Sequence, residues 1–191
     1  MQIILASSSI YRKALLQRLQ LNFITANPSV DETPLQNETP MELAARLSLL
    51  KAQALAQQYP NALIIGSDQV AVLEGQTLGK PGSSARAEEQ LQQVSGKCVE
   101  FLTGLCLYQS GDHSYQLDVI PFQVCFRQLS LSQIKQYVAL EQPLDCAGSF
   151  KWEKLGIALF SKMQGDDVTA LEGLPLIRLV DMLAQAGIAV I

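Results

Sequence analysis

The sequence predicts an α/β protein built on a mixed β-sheet, and three observations carry that prediction. Strand-like apolar runs alternate with amphipathic helices through the first half of the chain. Two long strand-like runs then flank a turn at Gly111, as an antiparallel hairpin does. Hydrophobic residues make up 48% of the 191 positions, which places the chain among globular rather than disordered proteins. No repeat, low-complexity tract or linker divides the chain, so residues 1–191 read as one domain.

Gln2–Leu5 reads as a buried strand, and Tyr11–Leu19 as a helix with Leu15, Leu16 and Leu19 on its inner face. The run "NFITA" is a second short strand. The stretch "NPSVDETPLQNETP" is too polar for a core. Thr39, Pro40 and Glu42 mark a helix start, because proline fits the first turn and an acid faces the positive end of the helix dipole. That helix is expected to reach about Gln58, burying Leu43, Leu47, Leu50 and Ala54. "ALIIGSDQVAVL" is an apolar strand interrupted by Gly-Ser-Asp-Gln and followed by a turn at Glu74-Gly75. Arg86–Val94 is a helix, the two hairpin strands follow, "SLSQIKQYVAL" is a capped helix, and "GLPLIRLVDMLAQAG" is a last helix ended by glycine.

The totals exclude several function classes. Eighteen acids against fourteen bases leave a net charge of −4, which argues against a non-specific nucleic-acid coat while allowing a local basic pocket. Cys98, Cys106, Cys125 and Cys146 show no CxxC spacing, and the one histidine, His113, falls in a turn-like "SGDHS". A zinc centre or a Cys–His pair is therefore not expected, and the cysteines read as reduced thiols. The N-terminus lacks a signal-peptide pattern and no apolar run approaches membrane-spanning length, so a cytoplasmic protein is expected.

Polar residues that a core does not need occur in five stretches. The turn "LASSSIYRK" loads Ser7, Ser8, Ser9, Arg12 and Lys13 where a strand passes into a helix. One serine can cap the helix, but free N–H groups beside a guanidinium also make a phosphate seat. "VDET" places Asp31 and Glu32 in a loop, where adjacent carboxylates suit a hard cation such as Mg²⁺. Asp68 and Gln69 interrupt an apolar strand. Burying Asp68 alone would cost several kcal/mol, on the order of polar-transfer penalties, so it either pairs with Lys51 or Lys80 or faces a cavity with metal and water. "LGKPGSS" has the wrong spacing for a phosphate-binding Walker loop, and Pro81 stands where its Ser/Thr belongs, yet Lys80 still offers a point charge. "CAGSFKWEKLG" sets Trp152 beside Glu153, an aromatic face and an acceptor that suit a nucleobase.

In order, "LASSSIYRKALL", "VDET", "KAQAL", "IIGSDQV", "GKP", "TGL" and "CAGSFKWEKLG" resemble the Maf family of nucleotide pyrophosphatases over nearly the whole chain. The resemblance implies an elongated mixed sheet flanked by helices, two lobes around a deep cleft, and often a homodimer. It implies cytoplasmic hydrolysis of nucleoside triphosphates to monophosphate and pyrophosphate with a divalent metal, Mg²⁺ or Mn²⁺. Asp68 matches the family's proton acceptor and, with Glu32, is expected to hold the metal. Ser9, Arg12, Lys13, Lys51 and Lys80 are expected on the phosphates. Tyr11, Gln69 and Glu153 together resemble the subfamily acting on 7-methyl-GTP, whereas members acting on dTTP or UTP carry Arg and Thr in place of Tyr11 and Gln69. The family's older name points instead to a non-catalytic regulator of septum formation. Ile10, Tyr11 and Lys13 depart from the proline, tryptophan and arginine common in close relatives, and Lys13 gives up the bidentate fork of arginine. A 7-methylated guanine is cationic, which favours an aromatic face such as Tyr11 and an anionic acceptor such as Glu153.

Overall fold

The computed structural model describes residues 1–191. In chain order its elements are β1 (Gln2–Ala6), α1 (Ile10–Gln17), β2 (Phe23–Ala26), α2 (Pro40–Gln53), β3 (Ala62–Leu73) and β4 (Gln76–Leu78). They continue with α3 (Ser84–Val94), β5 (Cys98–Gln109), β6 (Tyr115–Phe126), α4 (Leu131–Glu141), β7 (Phe160–Gln164) and α5 (Leu176–Gln185). The strands form one mixed sheet in the order β2-β1-β3-β5-β6-β7, with β4 antiparallel to β3 beside this path. The expected α/β class is therefore what the chain adopts.

Two compact units divide the chain: Met1–Gln69, Leu102–Pro121 and Asp166–Ile191 form the first, and Val70–Phe101 with Phe122–Gly165 the second. In the first unit β1 pairs in parallel with both β2 and β3, setting Ile3 opposite Phe23 and Leu63. Parallel neighbours require crossovers, which α1 and α2 provide. Strand alternation sorts the core: Ile3, Leu5, Leu63 and Ile65 pack with Leu15 and Leu16 of α1 and Leu179 and Leu183 of α5. Ile4, Ala6 and Ile64 point the other way, against Ala52 and Leu55.

The second unit is organised on four phenylalanines. Phe101, Phe126, Phe150 and Phe160 meet edge to face with ring centroids 4.9–5.7 Å apart, the arrangement that aromatic quadrupoles favour. The sequence-expected reduced state of all four cysteines is corrected here: Cys98 and Cys125, 27 residues apart, are joined as a disulfide. Their positions on the neighbouring strands β5 and β6 bring them together, a pairing that spacing alone does not reveal. Cys106 is buried and free, and burial pushes its thiol up to about 12.

Two local expectations also change. The interruption seen in "IIGSDQV" is one of polarity, since β3 runs unbroken through Gly66, Ser67, Asp68 and Gln69. α2 stops at Gln53, before Gln58, with Ala54 as its C-cap.

Candidate functional site

The opening turn is built by its own serines. Ser7 Oγ accepts from Ser9 N–H at 3.1 Å, and Ser9, extended at the N-cap of α1, accepts from the Arg12 N–H. Two serines thus satisfy local backbone donors, one more than capping alone suggested. Tyr11 is half-buried in the first turn of α1 and Lys13 is exposed. Arg12 turns toward the protein, and its Nε donates to the Gly173 carbonyl at 2.8 Å. Burial pulls the guanidinium's pKa down, while the charges of Asp68 and Glu32 pull it back up. An arginine in such surroundings remains a cation.

Asp68 is placed by two glycines inside strands. A Cβ on Gly66 would lie 2.1 Å from the Ser48 carbonyl oxygen, and one on Gly104 would lie 2.3 Å from the Ala44 carbonyl oxygen. Glycine at both points lets α2 lie directly on β3 and β5, along its small residues Ala44, Ser48 and Ala52. Ser48 Oγ then donates to Ala44 O at 2.7 Å and accepts the Asp68 N–H at 3.0 Å. One turn along α2, the Lys51 ammonium sits 2.6 Å from Asp68 Oδ1 and 2.6 Å from Glu32 Oε1. Of the two lysines that sequence reasoning offered as partners for Asp68, the fold selects Lys51.

Arg46, which sequence reasoning did not single out, holds the Glu32 loop. Its Nη2 donates to Thr33 O at 3.1 Å, and its Nε and Nη2 form a fork on Glu38 at 2.5 and 2.8 Å. Asp31 Oδ1 accepts the Thr33 N–H from the same loop at 2.9 Å. The Arg46 fork holds the Glu38 carboxyl well below its ordinary range, at about 2. A depressed carboxylate pKa means the tether is intact above the ordinary value and lost as pH falls toward the depressed one. The Glu38 carboxyl carbon, followed by NMR, is expected to titrate with a midpoint near about 2 in the folded protein and near the ordinary carboxylate value in Arg46→Ala. A midpoint above 4 in the unmodified protein would contradict the fork.

Gln69 follows Asp68 on β3. Its Nε2 lies 2.7 Å from Ala170 O, 3.2 Å from Leu171 O and 3.1 Å from Thr103 Oγ1, so its donors are engaged by the short 3-10 turn Val168–Glu172 and by β5. Ser67 Oγ lies 2.7 Å from both Gly104 O and Gly173 O. At the other end of this turn the buried Asp167 accepts from Thr169 N–H at 2.9 Å and from Ile177 N–H, at the start of α5, at 2.8 Å. None of Ser67, Thr103, Asp167 or Gly173 was foreseen as part of the site. The strand glycines Gly66 and Gly104 were the legible signal of a close backbone approach.

The first unit therefore brings together Arg12, Glu32, Lys51, Asp68 and Gln69, with Ser9, Tyr11 and Lys13 on the turn that carries Arg12. Lys80 and Glu153 belong to the second unit, where both are exposed, Lys80 after β4 and Glu153 in a turn with Trp152. In that unit the Lys151 N–H donates to Tyr137 Oη at 2.9 Å, and the Lys151 ammonium lies 3.6 Å from Asp145. Burial pushes the Tyr137 phenol above its usual value.

The formal charges of Arg12, Lys51, Glu32 and Asp68 sum to zero, so further cations would strengthen the hold of this cluster on a polyanion. Nowhere do three His, Cys, Asp or Glu side chains converge as a metal cluster. Glu32 and Asp68 nevertheless form a hard-oxygen pair one ammonium apart, which fits the habit of Mg²⁺ to bind through one or two carboxylates and substrate phosphates.

A family profile described as "Maf-like protein" matches residues 2–186. The chain is 56% identical over 188 residues to a Pseudomonas putida protein named 7-methyl-GTP pyrophosphatase, covering 98% of each. Proteins of the same name from Pseudomonas aeruginosa and Colwellia psychrerythraea are 55% and 53% identical, covering 98% and 99% of this chain and 98% and 94% of theirs. In fold it is similar to the Staphylococcus aureus Ham1 protein, with a TM-score of 0.54 at 14% identity over 98% of this chain and 100% of that one.

Proposed function

The chain belongs to the Maf family of nucleotide pyrophosphatases, and from that premise we propose that it hydrolyses 7-methyl-GTP to 7-methyl-GMP and pyrophosphate. The observation that carries the catalytic reading is the Lys51 ammonium held between Glu32 and Asp68, 2.6 Å from each. It pins the Asp68 side chain at a largely buried point of β3, within the electrostatic reach of Arg12.

In the proposed mechanism Arg12 and Lys13 receive the phosphates on the α1 turn, and Lys51 and Lys80 balance charge that grows on the phosphate oxygens as the bond to the leaving pyrophosphate breaks. Asp68 accepts the proton of the water attacking the α-phosphorus. Its Oδ1 takes the bond from Lys51, which fixes the carboxylate and leaves Oδ2 for the water. Glu32 and Asp68 are the residues that would hold a divalent cation, which when bound neutralises phosphate oxygens. Tyr11 and Glu153 select the base, the ring by its attraction to the cationic purine and the carboxylate by accepting from the Watson–Crick edge.

The same proposal places the protein in the cytoplasm, as a homodimer of one 191-residue catalytic domain. No helix is long and apolar enough to cross a membrane. Cys98 and Cys125 belong to the second unit, whereas Lys51 and Asp68 belong to the first, so turnover is expected to be the same with that disulfide intact or reduced.

A panel of 7-methyl-GTP, GTP, dTTP and UTP, assayed for pyrophosphate release with Mg²⁺, with Mn²⁺ and without metal, tests the reading. The expected result is metal-dependent turnover with 7-methyl-GTP preferred over GTP by about tenfold or more, from the Tyr11 ring and the Glu153 carboxylate acting together on the cationic purine, and with the preference lost in Glu153→Ala. Equal rates on the two guanine nucleotides would refute the charge argument. Absence of turnover with every nucleotide would favour a regulator over an enzyme.

A further inference from the structure

Gln69 stands next to the proposed base and marks base preference, yet its amide hydrogens engage the protein's own backbone. An amide nitrogen has two hydrogens. The shortest contact of Gln69 Nε2 is 2.7 Å, to Ala170 O, and the other two acceptors, Leu171 O and Thr103 Oγ1, also lie within hydrogen-bonding distance. Thr103 Oγ1 donates to the same Ala170 carbonyl at 2.9 Å. Side chains from β3 and β5 thus strap down the turn Val168–Glu172.

The residue after that turn is Gly173. Its φ of 92° belongs to the left-handed region, and a Cβ there would lie 3.1 Å from Arg12 Nε. Its carbonyl accepts from Arg12 Nε and lies 2.7 Å from Ser67 Oγ. With Nε taken, the four N–H groups on the two Nη atoms of Arg12 remain to face an anion. Where those donors point depends on where the Gly173 carbonyl is held.

We propose that Gln69 is a positioning residue for Arg12: by fixing the Val168–Glu172 turn it sets the Gly173 carbonyl that clamps the guanidinium, and so it tunes the phosphate seat. The proposal rests on the reading of Arg12 as a phosphate ligand. It makes a substitution at residue 69 felt by a polyphosphate that carries no base. Loss of Gln69 loosens the turn without unfolding it, because Asp167 still anchors the turn to α5 and Thr103 still bonds Ala170.

The test is calorimetric binding of inorganic tripolyphosphate to the full-length protein, Gln69→Met, Gln69→Ala, Arg12→Ala and the Arg12→Ala/Gln69→Met pair, with melting temperatures recorded for each. The expected result is affinity about tenfold weaker in Gln69→Met, within the usual range of coupling between groups in one network. In the Arg12→Ala background Gln69→Met should add less than about a twofold change, because the clamped group is gone. Tripolyphosphate affinity unaltered by Gln69→Met and Gln69→Ala, with only the 7-methyl-GTP to GTP ratio moving, would overturn the proposal in favour of a direct base contact. The same loss with and without Arg12 would overturn it in favour of a general structural effect. If Arg12→Ala itself leaves tripolyphosphate binding unaltered, both the proposal and the phosphate role of Arg12 fall, while metal-dependent turnover on the nucleotide panel would still stand by itself.

Discussion

Asp68→Asn is expected to lower turnover by roughly three orders of magnitude, within the range that a positioned general base contributes. The asparagine keeps the shape of the side chain, and its Oδ1 can still accept from the Lys51 ammonium that now bonds Asp68 Oδ1 at 2.6 Å. Lys51 also keeps Glu32, at 2.6 Å. The Asp68 N–H bond to Ser48 Oγ belongs to the backbone and survives the change. What disappears is a group able to take a proton from water. Pyrophosphate release should therefore collapse while the melting temperature moves by a few degrees at most, as expected for loss of about 1 kcal/mol. Turnover within about tenfold of the unmodified enzyme would remove Asp68 from the role of base.

Gly66→Ala is expected to have the largest effect of any single methyl group added to the first unit. The new carbon would lie 2.1 Å from Ser48 O, 2.9 Å from Ala52 N and 3.0 Å from Ala52 Cβ. Two of these atoms are backbone, so no flexible side-chain end can swing aside, and either α2 lifts or β3 bends. Overpacking of this kind costs about 3 kcal/mol or more. Lys51 moves with α2, and a displacement of about 1 Å at a catalytic group costs on the order of a hundredfold in rate. Thermal unfolding and kcat should fall together. Gly79→Ala provides the matched control for stability, since its Cβ meets nothing within 4 Å, and it should change stability by less than about 0.5 kcal/mol. A Gly66→Ala protein as stable as the control would mean that α2 is not seated on β3 by contact.

The elements were legible wherever periodicity and side-chain burial coincide. The buried strand at Gln2–Leu5 and the Leu15–Leu16 face of α1 read correctly because the strand is apolar on both of its buried faces and the helix carries one apolar stripe. The polar break in β3 misled because strand hydrogen bonds depend on the backbone. Ser67 finds carbonyl acceptors at Gly104 and Gly173, and Asp68 finds Lys51, so polar groups sit in a continuous strand at no loss of pairing. The end of α2 was overestimated because "ALAQQ" has good helix propensity, and the tertiary setting overrides it. In the site, the residue types that carry charge were legible. The choice between Lys51 and Lys80 for Asp68 was not, since it depends on which helix face two distant glycines admit. Arg46 and Gly173 were invisible for a related reason, because each acts partly through a backbone carbonyl, and a sequence does not mark carbonyls. The cysteine pair was missed because strand neighbours 27 residues apart leave no spacing motif.

The contact of α2 with β3 and β5 also limits how this chain can drift. Gly66 and Gly104 meet Ala44, Ser48 and Ala52 at backbone distance, so these five positions share one fixed gap. Growth on either side can be inherited only with shrinkage on the other, and Ser48 and Ala52 leave little to give. Loops and solvent-facing turns of α2 can diverge freely while this seam stays nearly frozen. Among diverging descendants of this sequence, residue size at 48 and 104 should change as a pair or not at all.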